Sequence, residues 1–221
     1  MSARQIARLF GAAAVTTGAL CAPISAASAA PCPDVDVVFA RGTFEPPGVG
    51  GIGQSFVDSV RTQAAGKSVS VYPVNYPAST DFPTAVQGIR DAANHIEATA
   101  ANCPTTKIVL GGFSQGAAVA GFVTSEAVPS GAAAEDVPDP MPPEVANHVA
   151  AVALFGKPSP RFMESIDTPP VEIGALYAPK TIDLCVSNDP ICADKGDGAN
   201  HNLYNVNGMT TQAASFAASR L

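Results

Sequence analysis

The sequence predicts an α/β fold, a three-layer α/β/α sandwich around a parallel sheet, on three observations. Short runs rich in Val, Ile and Leu recur along its 221 residues. They lack the polar alternation of a half-exposed strand, which marks strands covered on both faces. Between them lie segments with apolar residues at helical spacing, so that strand and helix alternate. The chain is 47% hydrophobic and 14% charged, which suits one domain with a single sizeable core.

The first stretch stands apart from this pattern. Arg4 and Arg8 precede an apolar run from Leu9 to Ala22, no acidic residue occurs before Asp34, and Ala27-Ser28-Ala29 has the small-x-small form of a signal-peptidase site. The expectation is a cleaved signal peptide over residues 1–29, a single domain over 30–221, and a secreted protein. The run is short for a membrane span and is broken by Thr16, Thr17 and Gly18, so no stable membrane anchor is expected.

The elements follow in order. "DVDVVFARGT" reads as a strand ending in a glycine turn, and "IGQSFVDSVRTQAAG" follows as a helix with Ile52, Phe56, Val57 and Val60 on one face. "SVSVYPVNY" is a second strand. "TAVQGIRDAANHIEATAA" is a second helix, with Val86, Ile89, Ala93 and Ile96 aligned. "TKIVLGG" is a third strand that runs into a helix starting near Gln115. "VAAVALFG" and "KTIDLC" are further strands, and "TTQAASFAASRL" is a closing helix. Between Ser125 and Pro143 the proline, alanine and acidic content predicts a surface loop and not a second domain.

Loss of Cys21 with the leader leaves Cys32, Cys103, Cys185 and Cys192, an even set that predicts two disulfides out of three possible pairings. Cys185 and Cys192 are close enough to shut a tight loop, leaving Cys32 to tie the first strand region to Cys103. The formal charge is −7, and removing two positive charges with the leader takes it to −9. That balance excludes nucleic acid and anionic membrane surfaces as electrostatic partners.

Chemistry enters at Gly112-Phe113-Ser114-Gln115-Gly116, a G-x-S-x-G string between a strand end and a helix start. A serine there must turn sharply, and the flanking glycines let neighbouring backbone approach. Its hydroxyl then stands clear of the sheet, while the amide of Gln115 points at a developing oxyanion. The competing reading is a plain helix cap, which requires no partners elsewhere in the chain. A nucleophilic serine needs a base, and there are three histidines. His95 lies within a helix and His148 opens a strand, whereas His201 lies in the loop "KGDGANHNLY" after the last strand and is the candidate base. Asp183, Asp189, Asp194 and Asp197 are candidates for the acid. Asp189 stands out because it sits inside "CVSNDPIC" and precedes Pro190, which favours an extended backbone. A second oxyanion donor is expected from "ARGTFEPPG", where Thr43 offers an amide and a hydroxyl.

With these residues in view, the chain resembles the cutinase family, and within it the secreted cutinase-like serine esterases of mycobacteria and their relatives. The motifs "VVFARGT", "VNYPAS", "GGFSQGA", "AVALFG" and "CVSNDPIC" with the late histidine carry the resemblance across nearly the whole mature chain. It implies an α/β-hydrolase-like fold with a central five-stranded parallel sheet. It implies Ser114 as nucleophile, Asp189 and His201 as its partners, Thr43 and Gln115 as the oxyanion hole, and disulfides Cys32 with Cys103 and Cys185 with Cys192. It implies no metal or organic cofactor, an ester or lipid substrate with short to medium acyl chains, and an open site without a large lid. A monomer is expected. Fungal members commonly carry serine where Thr43 stands, and the 125–143 loop departs from their compact form. Two rival functions share the fold: an acetyl-carbohydrate esterase, and a noncatalytic secreted binding protein of the envelope.

Overall fold

The computed structural model describes residues 31–126, 138–193 and 195–221. The expected leader with Cys21, the candidate Asp194 and most of the 125–143 loop lie outside the described residues. Five strands, β1 (Val35–Ala40), β2 (Val69–Pro73), β3 (Lys107–Phe113), β4 (Val149–Phe155) and β5 (Thr181–Leu184), form one sheet in the order β2-β1-β3-β4-β5. Every pairing is parallel, as strands joined by helical crossovers require. The helices are α1 (Gly50–Gln63), α2 (Val86–Asn102), α3 (Gln115–Val123), α4 (Pro160–Ser165) and α5 (Met209–Ala218).

Side chains alternate across a strand, and here both faces are apolar. Val38, Ile108, Leu110, Val152 and Leu154 point into a core shared with α2 and α3. Val37, Phe39, Val109 and Phe155 point into the opposite core, shared with α1 and α5. Phe39, Phe56 and Phe155 form a triangle there, with ring centroids 5.5 to 6.2 Å apart. The expected core positions Ile52, Phe56, Val57 and Val60 are all buried. The edge strands β2 and β5 are the less buried ones.

The local differences from expectation have local causes. β2 carries Pro73 at its end without losing a ladder bond, because β2 is an edge strand and the next amide, that of Val74, still donates to the Phe39 carbonyl at 3.0 Å. The second helix opens with a 3-10 turn, Phe82–Ala85, before α2 proper. α4 was not foreseen. It has only six residues, yet its start carries a signal: the Ser159 hydroxyl accepts from the Phe162 amide at 3.2 Å, with Pro160 next in the chain.

The topology fixes where a site can form. The chain leaves β1 toward β2 and later returns to place β3 on the other side of β1. The carboxyl ends of β1 and β3 therefore border a crevice at a switch in strand order, the usual ligand position in open α/β sheets. Ala40 pairs with Gly112 in register, so the loop after β1 and the turn after β3 emerge side by side.

Two disulfides close the chain, Cys32–Cys103 and Cys185–Cys192. The first bridges a sequence separation of 71 residues. On the chain-entropy argument, replacing both Cys32 and Cys103 with Ala should lower the free energy of unfolding by about 4 kcal/mol, measured by guanidinium denaturation.

Candidate active site

Ser114 sits in the sharp turn between β3 and α3, with φ 55° and ψ −120°. A non-glycine residue held at positive φ is strained, and such strain is retained only where its surroundings enforce it. Its amide donates to the Phe155 carbonyl at 2.8 Å, which ties the turn to the end of β4. A Cβ on Gly116 would lie 2.0 Å from the Ala40 carbonyl oxygen, and one on Gly112 2.0 Å from the carbonyl oxygen of Gly116. The glycines are thus required by close approach. The plain helix-cap reading fails on geometry, because the Ser114 side chain makes no capping hydrogen bond. It faces His201 instead.

The His201 Nε2 lies 2.8 Å from Ser114 Oγ, and its Nδ1 lies 2.8 and 2.9 Å from the two carboxylate oxygens of Asp189. The imidazole is held between the Phe113 ring at 4.8 Å and the Tyr204 ring, perpendicular to it at 6.4 Å. Two loops are pinned to each other to achieve this: the Asp197 amide and the Asn200 side chain both donate to the Asn188 carbonyl.

Asp189 is fully buried. Burial alone raises a carboxyl pKa, but three donors outweigh it: His201, the Tyr204 hydroxyl at 2.5 Å and the Ile191 amide at 2.9 Å hold the Asp189 carboxyl below its usual range. Tyr204 escaped the sequence reading. Its hydroxyl also receives the Val186 amide and lies 3.3 Å from Cys192 Sγ. Burial and the neighbouring Asp189 carboxylate push the phenol pKa up, so it stays protonated and remains a donor.

The other carboxylates face elsewhere. Asp183 pairs with Lys157 at 3.4 Å, and Asp197 accepts from the Ala199 amide as a helix cap. His95 binds the buried Asp36 at 2.7 Å, and Ser70 donates to the same carboxylate at 2.5 Å. This second Ser, His and Asp cluster differs in one respect: its hydroxyl is spent on the acid and not offered to the imidazole. Stacking of Tyr72 on His95 at 3.6 Å closes it further.

The loop after β1 stands opposite the Ser114 turn. The Thr43 hydroxyl donates to Gln115 Oε1 at 3.2 Å, and Gln115 Nε2 donates to the Ser79 carbonyl at 3.0 Å. The Gln115 side chain thus fastens the loops after β1 and β2 to the start of α3, a role the sequence reading missed. The Gln115 amide is at the first position of α3, where no intrahelical acceptor exists. Glu45 anchors the loop from below, accepting from the Gly42 amide at 2.7 Å and the Gly51 amide at 2.8 Å. Arg41 is buried and donates to the carbonyls of Glu45 and Tyr76.

Ser114 and His201 open into a cavity of about 410 Å³. α4 and the segment just after it contribute Phe162, Met163 and Ile166 to its lining. Phe44 stands at its mouth, 77% exposed. Among the described residues, no three His, Cys, Asp or Glu side chains converge to hold a metal ion.

Comparison with known proteins adds a family. The family model described as Cutinase matches residues 31–221. A probable carboxylesterase of Mycobacterium tuberculosis, Culp5, is 61% identical over 168 residues, covering 76% of this chain and 96% of that protein. The phospholipase Culp4 of the same organism is 46% identical over 223 residues, covering 100% and 93%. Among solved structures, Trichoderma reesei cutinase in complex with a phosphonate inhibitor is similar with a TM-score of 0.62 and 33% identity, over 86% of this chain and 77% of that one.

Because the folded-state pKa of Asp189 lies below the unfolded value of about 3.9, the stability it contributes is present above that value and lost as pH falls through the folded one. Tyr204→Phe removes one donor, so the Asp189 pKa should rise towards the unfolded value, and the acid-side loss contributed by this carboxyl should become smaller and be complete at a higher pH. The substitution should also cost about 1 to 3 kcal/mol at neutral pH. Urea unfolding across a pH series reads both effects.

Proposed function

The chain belongs to the cutinase family of carboxylic ester hydrolases, and from that premise we propose that Ser114 is its nucleophile, His201 its general base and Asp189 the acid that orients the base. The observation that carries this reading is the unbroken relay from Ser114 Oγ through both imidazole nitrogens to a buried carboxylate. The Gln115 amide, with Thr43 opposite, forms the oxyanion hole. The hydroxyl proton of Thr43 is engaged with Gln115, so the Thr43 contribution to the oxyanion comes from its amide.

The reaction is acyl transfer in two halves. Ser114 Oγ bonds to the ester carbonyl carbon as its proton passes to His201 Nε2, and the tetrahedral oxyanion collapses with cleavage of the bond to the alcohol oxygen, which takes the proton from His201. Water then attacks the acyl-enzyme, gives its proton to His201, and the proton returns to Ser114 as the acid departs. Asp189 stays ionised and stabilises the imidazolium.

The substrates are acyl esters of short to medium chain, lipids among them. The apolar cavity beside Ser114 and the likeness to a protein named as a phospholipase support that choice. Secretion, with removal of residues 1–29, is part of the same proposal, supported by the basic and apolar N-terminal pattern and by two disulfides. Among the described residues no helix is long and apolar enough to cross a membrane.

Ser114→Ala should lower kcat/KM for p-nitrophenyl butyrate at least 1000-fold, on the order seen when a triad member is removed. It should also abolish covalent labelling by a fluorophosphonate. Retained turnover or labelling would sink the assignment. Replacing Cys185 and Cys192 with Ala should cost about 2 to 3 kcal/mol of stability while reducing kcat disproportionately, because the short loop positions Asp189. Unfolding curves and initial rates on the same preparation separate the two effects.

A further inference from the structure

The loop after β1 carries a charged group that the relay does not use. The Glu45 carboxylate is folded back on its own loop, where Oε2 accepts from the Gly42 amide at 2.7 Å and Oε1 from the Gly51 amide at 2.8 Å, at the start of α1. Gly50 leaves space for it, since a Cβ there would lie 2.2 Å from Oε2. A helix start holds unpaired donors and favours a negative charge, so α1 gives this carboxylate a fixed seat.

From Gly42 to Glu45 the backbone donors are nearly all spent. The Gly42 amide goes to the Glu45 carboxylate, the Phe44 amide donates to the Ala78 carbonyl at 2.7 Å, and the Glu45 amide donates to the Gly42 carbonyl at 3.2 Å. Of these four amides, only that of Thr43 meets no acceptor among the described residues. It shares a peptide unit with the Gly42 carbonyl, and in a trans peptide the N–H and C=O point in opposite directions. Holding that carbonyl on the Glu45 amide therefore turns the Thr43 N–H the other way. Thr43, Ser114 and Gln115 line one cavity.

The loop does not hold this shape by its own preference. Phe44 has φ 64° and its partner Ala78 has φ 50°, conformations that non-glycine residues avoid. Residue 42 must be glycine, because a Cβ would lie 2.7 Å from the Phe113 ring, which packs on His201. Glycine is also the residue least able to keep its own peptide in one orientation. Close packing against the support of His201 thus creates a loose point beside Thr43, and Glu45 ties it from outside. Arg41, buried, adds to the tie by donating from Nε to the Glu45 carbonyl at 2.8 Å.

We infer that Glu45 is a positioning residue for the reaction: by gripping the Gly42 and Gly51 amides, it fixes the Gly42–Thr43 peptide with the Thr43 N–H presented to the oxyanion. The inference rests on the reading of Ser114 as nucleophile and of the Thr43 amide as an oxyanion donor, and adds the group that keeps the donor aimed. A released peptide can rotate and set its carbonyl where its N–H stood, which repels the developing charge. That charge exists only in the transition state, so the loss falls on kcat and not on KM.

The test compares wild type, Glu45→Ala and Glu45→Gln on p-nitrophenyl butyrate and with butylboronic acid as a reversible inhibitor. Ser114 Oγ adds to the boron as its proton passes to His201, giving an anionic tetrahedral adduct that places an oxygen in the oxyanion hole. Glu45→Ala should lower kcat about 30- to 300-fold, on the order of losing one oxyanion donor, leave KM within about threefold, and weaken the inhibitor by a factor similar to the loss in kcat. Glutamine keeps an acceptor oxygen for one of the two amides, so Glu45→Gln should recover part of both losses. A folded Glu45→Ala protein with kcat within about threefold of wild type overturns the inference, and so does a loss carried by KM or an unchanged inhibitor affinity. The same criteria apply to Glu45→Gln where Glu45→Ala does not fold. If circular dichroism shows neither variant folded, Glu45 supports the fold and not the oxyanion, and the inference fails. A wild type with no turnover and no fluorophosphonate labelling of Ser114 would instead remove the nucleophile reading beneath it.

Discussion

The candidate active site depends on how near the start of α3 can come to the end of β1. Gly116 faces the Ala40 carbonyl at a distance that leaves no room for a side chain. That approach lets Gln115 reach Thr43 and Ser79 together, and it forces the chain at Ser114 into its positive-φ turn. Strain of this kind costs about 1 to 3 kcal/mol and is offset by the parallel ladder on either side, where β3 is gripped by both β1 and β4. A strand paired on both sides thus leads directly into this strained turn, which holds the hydroxyl within 2.8 Å of His201 Nε2.

Among the described residues two buried aspartates pair with histidine, and they differ in where the serine hydroxyl beside them is directed. Asp36 and Asp189 both have carboxyl pKa values below the usual range, burial being outweighed in each case by histidine and a hydroxyl donor. At Asp189 the hydroxyl donor is Tyr204, and the second imidazole nitrogen reaches Ser114. At Asp36 the serine itself is the donor, and the arrangement fastens β1 and β2 to α2. Residue types alone do not distinguish the pairs. The order in which the hydrogen bonds run does.

Much of this was legible in the sequence because the features concerned are local. Strands buried on both faces read as unbroken apolar runs, and the helical spacing of Ile52, Phe56, Val57 and Val60 is visible without coordinates. Asp189 was legible through its cysteine-bounded loop, and His201 through its position after the last strand. Tyr204 was not, since one tyrosine three residues past a histidine has no pattern that says its hydroxyl turns inward to a carboxylate. The side-chain role of Gln115 likewise arises from loops that meet only in three dimensions. α4 was missed because six residues are too few for a periodicity to show, although Ser159 and Pro160 announce its start. The part of the cavity wall that α4 supplies was missed with it.

Met163 of α4 packs with Ala118 and Val171 in a small apolar cluster, which meets the core shared with α2 and α3 through Ile173. Substitutions at Phe162 and Met163 therefore alter the wall of the cavity beside Ser114 without touching a residue of the strand ladder. What the cavity admits can thus be changed by side chains that take no part in the hydrogen bonds joining Ser114, His201 and Asp189.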